Sequence, residues 1–468
     1  MHVFWSQLRK PRSWVSALCL CAVWLVVVEL SSSAHTGLSD GNNKPQDWPC
    51  FLGPTHDGKS TATGLPTHWP ADGPSVLWGV DVGEGYAAPT CANGKLYLYD
   101  RMCDQARLRC LHARSGKTLW VRHFPTQYVD AYGYDGGPRC CPVVDEDRVY
   151  LHSAEGMLYC VAAQDGKTLW KVDTFTQYGV VPNFFGVGST PVVHGEDLIV
   201  MVGGSPKGSV QIPFENLKGN GTGVVIFDKQ TGKEKHRLSD ELASYASPLV
   251  VQWDKQDLGL IFTRSGLLVI EPRAGKNRFF FPWRARLVES VNASNPVVYG
   301  NQVFITESYQ LGGALLQWEQ GQLRVLWSDQ DKGRDKSLGC HWMTPVLHEG
   351  HLYGCHGRQS NEAELRCVEW ATGKLKWRQK GLGRTSLLYV DGHFVVLTEE
   401  GQIILIRAQA DRYNVVATWE PKRDAALGGQ YWLDYPCWAA PILADGIMYL
   451  RGKKHLIAME LLTSTGKK

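Results

Sequence analysis

The sequence predicts an all-β chain: an eight-bladed β-propeller of four-stranded antiparallel blades, with its ring closed by an N-terminal strand. Three observations carry that prediction. A Gly-Lys turn followed by tryptophan recurs as HARSGKTLW (His112–Trp120), AAQDGKTLW (Ala162–Trp170) and EWATGKLKW (Glu369–Trp377), with a weaker copy, FDKQTGKEK, from Phe227. Two small residues abut a proline at 87–89, 140–142, 189–191, 246–248, 294–296, 343–345 and 439–441, with a proline-free copy, TSL, at 385–387. Those eight markers repeat about every 50 residues, the period of a propeller blade rather than of a helical repeat. Finally, the last unit runs out after three strands near Leu461, while an orphan strand, SVLWGVDVG (Ser75–Gly83), precedes the first marker.

Each element follows in order. A basic start (Arg9, Lys10, Arg12), an apolar stretch from Val15 to Leu30 and the small residues through Ala34 have the form of a secretory signal peptide over 1–34. The apolar stretch, interrupted by Glu29, is short for a membrane span, which needs about 20 residues. The expected address is therefore periplasmic or secreted, with an uncleaved signal anchor as the alternative. Residues 35–74 read as an N-terminal arm, 75–461 as the propeller and 462–468 as a tail. Within a unit, proline opens the inner strand, where a missing N–H is tolerated. Alternating runs such as KLYLYD and RVYLHS, broken by Gly, Asn and Asp turns, supply the following strands. Pairing the orphan strand with the last three would complete an eighth blade and remove the free sheet edges that invite aggregation.

Charge and cysteine usage narrow the function classes. Beyond residue 34 the chain carries one basic side chain in excess and no basic block, which argues against nucleic acid and anionic membrane surfaces. Of 13 cysteines, Cys19 and Cys21 fall in the leader, leaving an odd number. No Cys-x-x-Cys-His occurs, which disfavours a covalent c-type haem.

The repeated A-x-[DS]-G-K-x-x-W pattern resembles the tryptophan-docking motif of the quinoprotein-type, or PQQ-like, β-propeller superfamily. The lead-in WPCFLGPTHDGKSTATGLPTHWP (Trp48–Pro70) and the segments FGVGSTPVV and SYASPLVV are similar to secreted bacterial members of that group. The resemblance spans roughly Trp48 to Leu461. It implies one of two roles: a quinoprotein dehydrogenase holding pyrroloquinoline quinone (PQQ) with calcium, or a cofactor-free propeller. The lipoprotein of the outer-membrane β-barrel assembly machinery belongs to the second class and presents loops to protein partners. No Asp-Trp or clustered Glu/Asn constellation resembles the calcium and base motifs of the first class, and the chain is shorter than those enzymes. Fold does not choose between the two classes; the site must.

Equivalent positions in a propeller converge on one mouth of the channel. Three residues before each marker stand Tyr86, Arg139, Gly188, Tyr245, Ala293, Trp342, Arg384 and Trp438. Tyr86, Arg139, Tyr245, Trp342, Arg384 and Trp438 are thus the candidate ligand-binding residues, because aromatics with arginines at a concave mouth suit a sugar, peptide or anion. The competing reading is that the aromatics plug the channel and the arginines pair with Asp130, Asp135 or Asp434.

Cys140 and Cys141 are the redox candidates, since a vicinal disulfide accompanies the quinone in the dehydrogenases. Yet they fill the slot that holds Ala-Ala, Ser-Thr, Ala-Ser, Ser-Asn or Met-Thr in the other units. Adjacent Cα atoms lie about 3.8 Å apart, whereas disulfides span roughly 4.4–6.8 Å, so packing is the preferred reading. Cys340-His341 and Cys355-His356 are a weaker zinc candidate, and Cys355 with Cys367 a candidate cross-hairpin bridge. Cys110, Cys160 and Cys367 share one repeat position and read as core. Asn220 and Asn292 match glycan acceptors.

The expected function is an exported, non-catalytic scaffold that binds a protein or cell-envelope component, as a monomer without cofactor, catalytic residue, metal or nucleic acid. The alternative is a PQQ-dependent dehydrogenase of an alcohol or sugar, which would require PQQ and calcium.

Overall fold

A computed structural model describes residues 46–70, 72–422 and 432–462. The expected signal peptide and most of the tail lie outside them. The described chain forms eight sheets, seven of four strands and one of five. Blade 1 comprises Thr90–Ala92, Lys95–Met102, Gln105–His112 and Thr118–Pro125, paired antiparallel in sequence order. Six further blades repeat that order, and the eighth is assembled from both ends of the described chain.

Proline sets where the inner strands start. Seven of them begin at Thr90, Val143, Val192, Leu249, Val297, Val346 and Ile442, each directly after its marker proline. A residue without an N–H cannot donate to the ladder, so pairing starts one position later. Blade 7 has Leu387 at the marker position, and its inner strand extends over Thr385–Val390. The first hairpin turns adopt left-handed backbone, as at Asn93-Gly94 (φ 52° and 69°) and Asp391-Gly392 (φ 47° and 72°), which matches the twist of the flanking strands.

The core lies between blades. Tyr97, Tyr99, Leu108 and Cys110 of blade 1 pack against Val149, Leu151 and Val161 of blade 2. Cys110, Cys160 and Cys367 are wholly buried in third strands. Repeated tryptophans fasten several blades to the next, and His236 takes that place over Gly275 between blades 3 and 4. Trp78 stacks so closely on Gly116 that a Cβ there would lie 2.6 Å from the ring, and its indole donates to the Ala113 carbonyl at 2.9 Å. Gly116 (φ 67°) is thus required both by conformation and by the approach of the indole. Trp120, Trp170 and Trp327 cover Gly166, Gly232 and Gly373 in the same way. Trp78, Trp120 and Trp170 stand near the start of their strands, whereas Trp327 stands near the end of Gln322–Ser328. A bulge opposite Cys110 and Leu111 swings Trp120 toward the neighbouring blade, and the strand continues to Pro125.

The orphan strand closes the ring. Val76–Asp81 pairs antiparallel with His455–Glu460, with Trp78 opposite Ala458 and Val80 opposite Leu456. A buried arginine adds to the seam. Arg451 donates to the carbonyls of Ala87 (2.7 Å), Tyr99 (3.1 Å), Gly83 (3.2 Å) and Glu84 (3.4 Å), tying blade 8 to blade 1 and its approach.

The arm belongs to the same body. Trp48 exchanges backbone hydrogen bonds with Cys91 (2.7 and 2.9 Å), and the Val144 amide donates to the Pro49 carbonyl (2.8 Å). Lys59–Ser60 then adds to blade 7 as a fifth strand, parallel to Tyr389 and Val390. The arm therefore runs beneath the inner strands of blades 8, 1, 2 and 7, at the end of the channel where the first hairpins turn.

Candidate binding cup on the propeller axis

The axial channel holds a cavity of about 650 Å³, and all eight positions three residues before the markers line it. Below them lies a second tier of small side chains, Ala88, Cys141, Thr190, Thr344, Ser386 and Ala440, each one residue before its marker. Phe51 and Leu52 of the arm complete the lining. Because the arm crosses the far end of the inner strands, these two form a floor. The channel is a cup with one mouth.

Around that mouth the side chains stack in a belt. The Arg384 guanidinium lies 4.9 Å from the Trp342 ring and 4.6 Å from the Trp438 ring, and the two indoles, from blades 6 and 8, have centroids 5.1 Å apart. Tyr86 packs on Trp438 at 4.9 Å. Arg139 then sits over Tyr86 (5.7 Å) and Phe185 (5.2 Å). Phe185 meets Tyr245 at 6.3 Å, and the Phe185 amide donates to the Tyr245 hydroxyl at 2.9 Å. On the other side Trp342 continues to His341 (4.8 Å) and Tyr309 (5.5 Å). Guanidinium faces on aromatic faces satisfy both cation–π attraction and packing.

The ring arginines are countered, Arg139 by Asp130, one of the expected aspartates, and Arg384 by Glu399, which was not expected. Arg384 donates its Nε to Glu399 Oε2 at 2.8 Å, and its backbone amide takes the other oxygen at 2.9 Å; Trp438 Nε1 donates to the same carboxylate at 3.2 Å. Burial alone would push Glu399 up, but hydrogen bonds from Arg384, Ser360 and Trp438 hold it below the usual carboxylate range. Arg139 lies 3.6 Å from Asp130 and donates to the carbonyls of Gly137 and Asp135. Asp434 instead pairs with His455 at 2.5 Å, away from either arginine.

Over two overlapping stretches, residues 70–212 and 104–354, the chain matches the family described as outer membrane protein assembly factor BamB. The chain belongs to this family. BamB from Moraxella catarrhalis is 11% identical, with a TM-score of 0.56 over 84% of this chain and 99% of that one. A computationally designed propeller, Ika8, is 9% identical, with a TM-score of 0.51 over 82% and 99%. A europium-containing methanol dehydrogenase reaches a TM-score of 0.47 at 11% identity, covering 89% of this chain and 90% of that one. At such identities the likeness is one of fold. No curated protein matches the sequence.

In this BamB-family propeller Cys140 and Cys141 face different surroundings. Cys140 packs in a core cluster with Cys50, Val143 and Val187, and its thiol donates to the Ser189 carbonyl at 3.2 Å. Cys141 belongs to a different cluster and edges the cup. Both carry free thiols; burial pushes Cys141 up to about 12 and Cys140 well above the ordinary range. Cys355 and Cys367 are also free and out of register, since Cys367 lies opposite Tyr353. His356 accepts from the Gly339 amide at 2.8 Å, whereas His341 faces the cup. Among the described residues no group of three or more His, Cys, Asp or Glu could hold a metal. Asn292 is buried and donates to the carbonyls of Thr263 and Trp283, and Asn220 donates to those of Tyr178 and Ser205, so both acceptor amides are engaged.

Marker counting does not reach several cup residues; among them, Arg358, Gln359 and Tyr309 stand on loops joining second to third strands. In antiparallel blades those loops emerge at the mouth, beside the loops that carry the ring. Their lengths vary between units, so no repeat position flags them; only the Gly357 break before Arg358 marks the turn in the sequence.

Proposed function

We propose that this chain is an exported, non-catalytic scaffold that binds a protein or another cell-envelope component through the mouth of its cup. The observation that carries the reading is convergence: one residue from the approach to every blade meets at a single opening, above a floor made by the chain's own arm. The rim beside it exposes Tyr134 (72%), Tyr132 (52%) and Tyr435 (48%) on mouth-side loops. Rigid amphipathic side chains around a concavity are what a binding surface needs. The family description as an outer membrane protein assembly factor supports a protein partner in the envelope. Among the described residues no helix is long and apolar enough to cross a membrane.

The donor set of the cup fits a quinone–calcium centre poorly. A calcium site needs several clustered oxygen ligands, and among the described residues Glu289, an exposed residue, is the sole carboxylate lining the cavity. The adjacent cysteines point into separate clusters instead of presenting a paired face. No catalytic step through that cofactor is derived.

Site-specific photo-crosslinking on the full chain tests the reading. A photoreactive residue at Tyr134 or Tyr435 should yield discrete adducts in envelope extract. One at Tyr299, which is 67% exposed on a first-hairpin turn at the opposite end, should not. Equal labelling from both ends, or quinone-dependent dye reduction after adding PQQ and calcium, would sink it.

A further inference from the structure

The three arginines of the cup are not equivalent. Arg384 is held by Glu399, and Arg139 by Asp130 and two carbonyls. Arg358 has neither an ion-pair partner nor a side-chain hydrogen bond among the described residues; its guanidinium lies 4.6 Å over the Tyr309 ring. The loop that carries it is anchored, with the Gly357 amide on the Gly339 carbonyl (2.9 Å) and the Glu362 amide on the Gln359 carbonyl (3.1 Å). Gln359 and Ser360 of the same loop also line the cup.

The adjoining wall is short of partners too. His341 Nδ1 and Trp342 Nε1 are buried without a hydrogen-bond partner. Burial, with Arg358 and Arg384 nearby, pushes His341 down to about 3, so its ring is neutral. Its Nε2 faces the Tyr309 hydroxyl at 3.3 Å. The wall thus holds two buried polar nitrogens without a partner beside a guanidinium that forms no ion pair among the described residues, Glu307 acting on it only through space. Buried donors left unmet are costly, and a guanidinium stacked on a ring still presents its N–H edge to a planar acceptor.

We infer that this sector of the cup, centred on Arg358 and flanked by Gln359, His341 and Trp342, is a recognition subsite for a small organic carboxylate. This rests on reading the cup as a binding site and goes further, naming the chemical group it takes. The carboxylate of an aromatic or apolar acid and that of a sugar acid share this recognition chemistry; what differs is the body that meets the aromatic rim.

The test is titration of the full chain with sodium benzoate and, separately, sodium glucuronate at fixed ionic strength, followed by calorimetry and tryptophan fluorescence. At least one should bind saturably. Benzoate alone would assign an apolar body and glucuronate alone a sugar acid. Arg358→Gln should weaken binding by about tenfold or more, the effect of losing a charge-assisted fork, and Arg358→Lys by less. The side chain of Arg358 makes no hydrogen bond, so its variants should melt as the parent does. Arg286→Gln, which removes an exposed arginine outside the cup, should bind as the parent. Absence of saturable binding by either anion, or Arg358→Gln and Arg286→Gln behaving alike, would overturn the inference. Mouth-directed crosslinking without carboxylate binding would remove this subsite and leave the scaffold reading standing.

Discussion

Two buried polar regions of this propeller are built on opposite terms. At the seam between blades 8 and 1, Arg451 meets four backbone carbonyls, and its Nε alone lacks a partner. Nearby, Asp100 takes Arg107, Arg109 and the Gly83 amide, and those contacts outweigh burial to hold its carboxyl below the usual range, leaving the Arg109 Nε without a partner. At the mouth, by contrast, Glu307 Oε2, His341 Nδ1 and Trp342 Nε1 have no partner. A saturated polar network rigidifies, and an unsaturated one costs stability for as long as it stays empty. The seam serves closure of the ring, and the mouth is where the molecule gives up stability.

Breaking the seam should have the largest effect. Arg451→Met takes a donor from four carbonyls, of which Glu84 alone among the described residues keeps another in the Arg101 amide, and should cost about 3–5 kcal/mol in denaturant unfolding. A loss below about 1 kcal/mol would mean that strand pairing alone closes the ring.

The mouth makes a pH-dependent prediction. Burial pushes the Glu307 carboxyl up from 4.5 to about 7. A group whose folded value is raised stabilises the fold fully below its ordinary value, and that contribution is lost as pH climbs through the folded value. Between pH 5 and 8 the protein should therefore lose stability on the order of 3 kcal/mol from this residue. In Glu307→Gln that part of the slope should vanish. An identical pH profile in the variant would show that the orphaned oxygen is satisfied in solution.

The smallest effect is expected at the paired cysteines, where the wall of the cup is mere filling. Replacing both Cys140 and Cys141 by serine should cost on the order of 1 kcal/mol, and mass spectrometry should find both thiols free in the native protein. A disulfide between them, with quinone-dependent activity lost in the variant, would overturn both the packing account and the scaffold reading.

What could be read from sequence divides along the same line. Blade number, the start of seven inner strands and the eight-membered ring were legible because each rests on a local signal repeated in register: a small pair, a proline, a Gly-Lys turn; in blade 7, without the proline, the strand starts two residues ahead of its marker. Arg139 and Arg384 could be placed at the mouth by counting. Asp130, which pairs with Arg139, was among the partners named, but Glu399 was not, since it approaches Arg384 from the end of a second strand, where no marker lies. Arg451 was illegible for a similar reason: its carbonyl partners are backbone, which carries no sequence signature. The arm's course beneath the channel depends on contacts such as Trp48 with Cys91 and Lys59 with Tyr389, where side-chain pattern says little about destination.

The strand that completes blade 8 also sets the order of events during biogenesis. Val76–Asp81 is synthesised early, yet its partner, His455–Glu460, follows roughly 375 residues later, the kind of long-range pairing that slows folding. Until that last hairpin emerges, Trp78 has Gly116 to rest on but no neighbour to its other side. The nascent ring then stands as an open arc with one unpaired strand at its leading end. Closure of the ring is thus left to the two paired strands that lie farthest apart along the propeller, and the arc stays open until they meet.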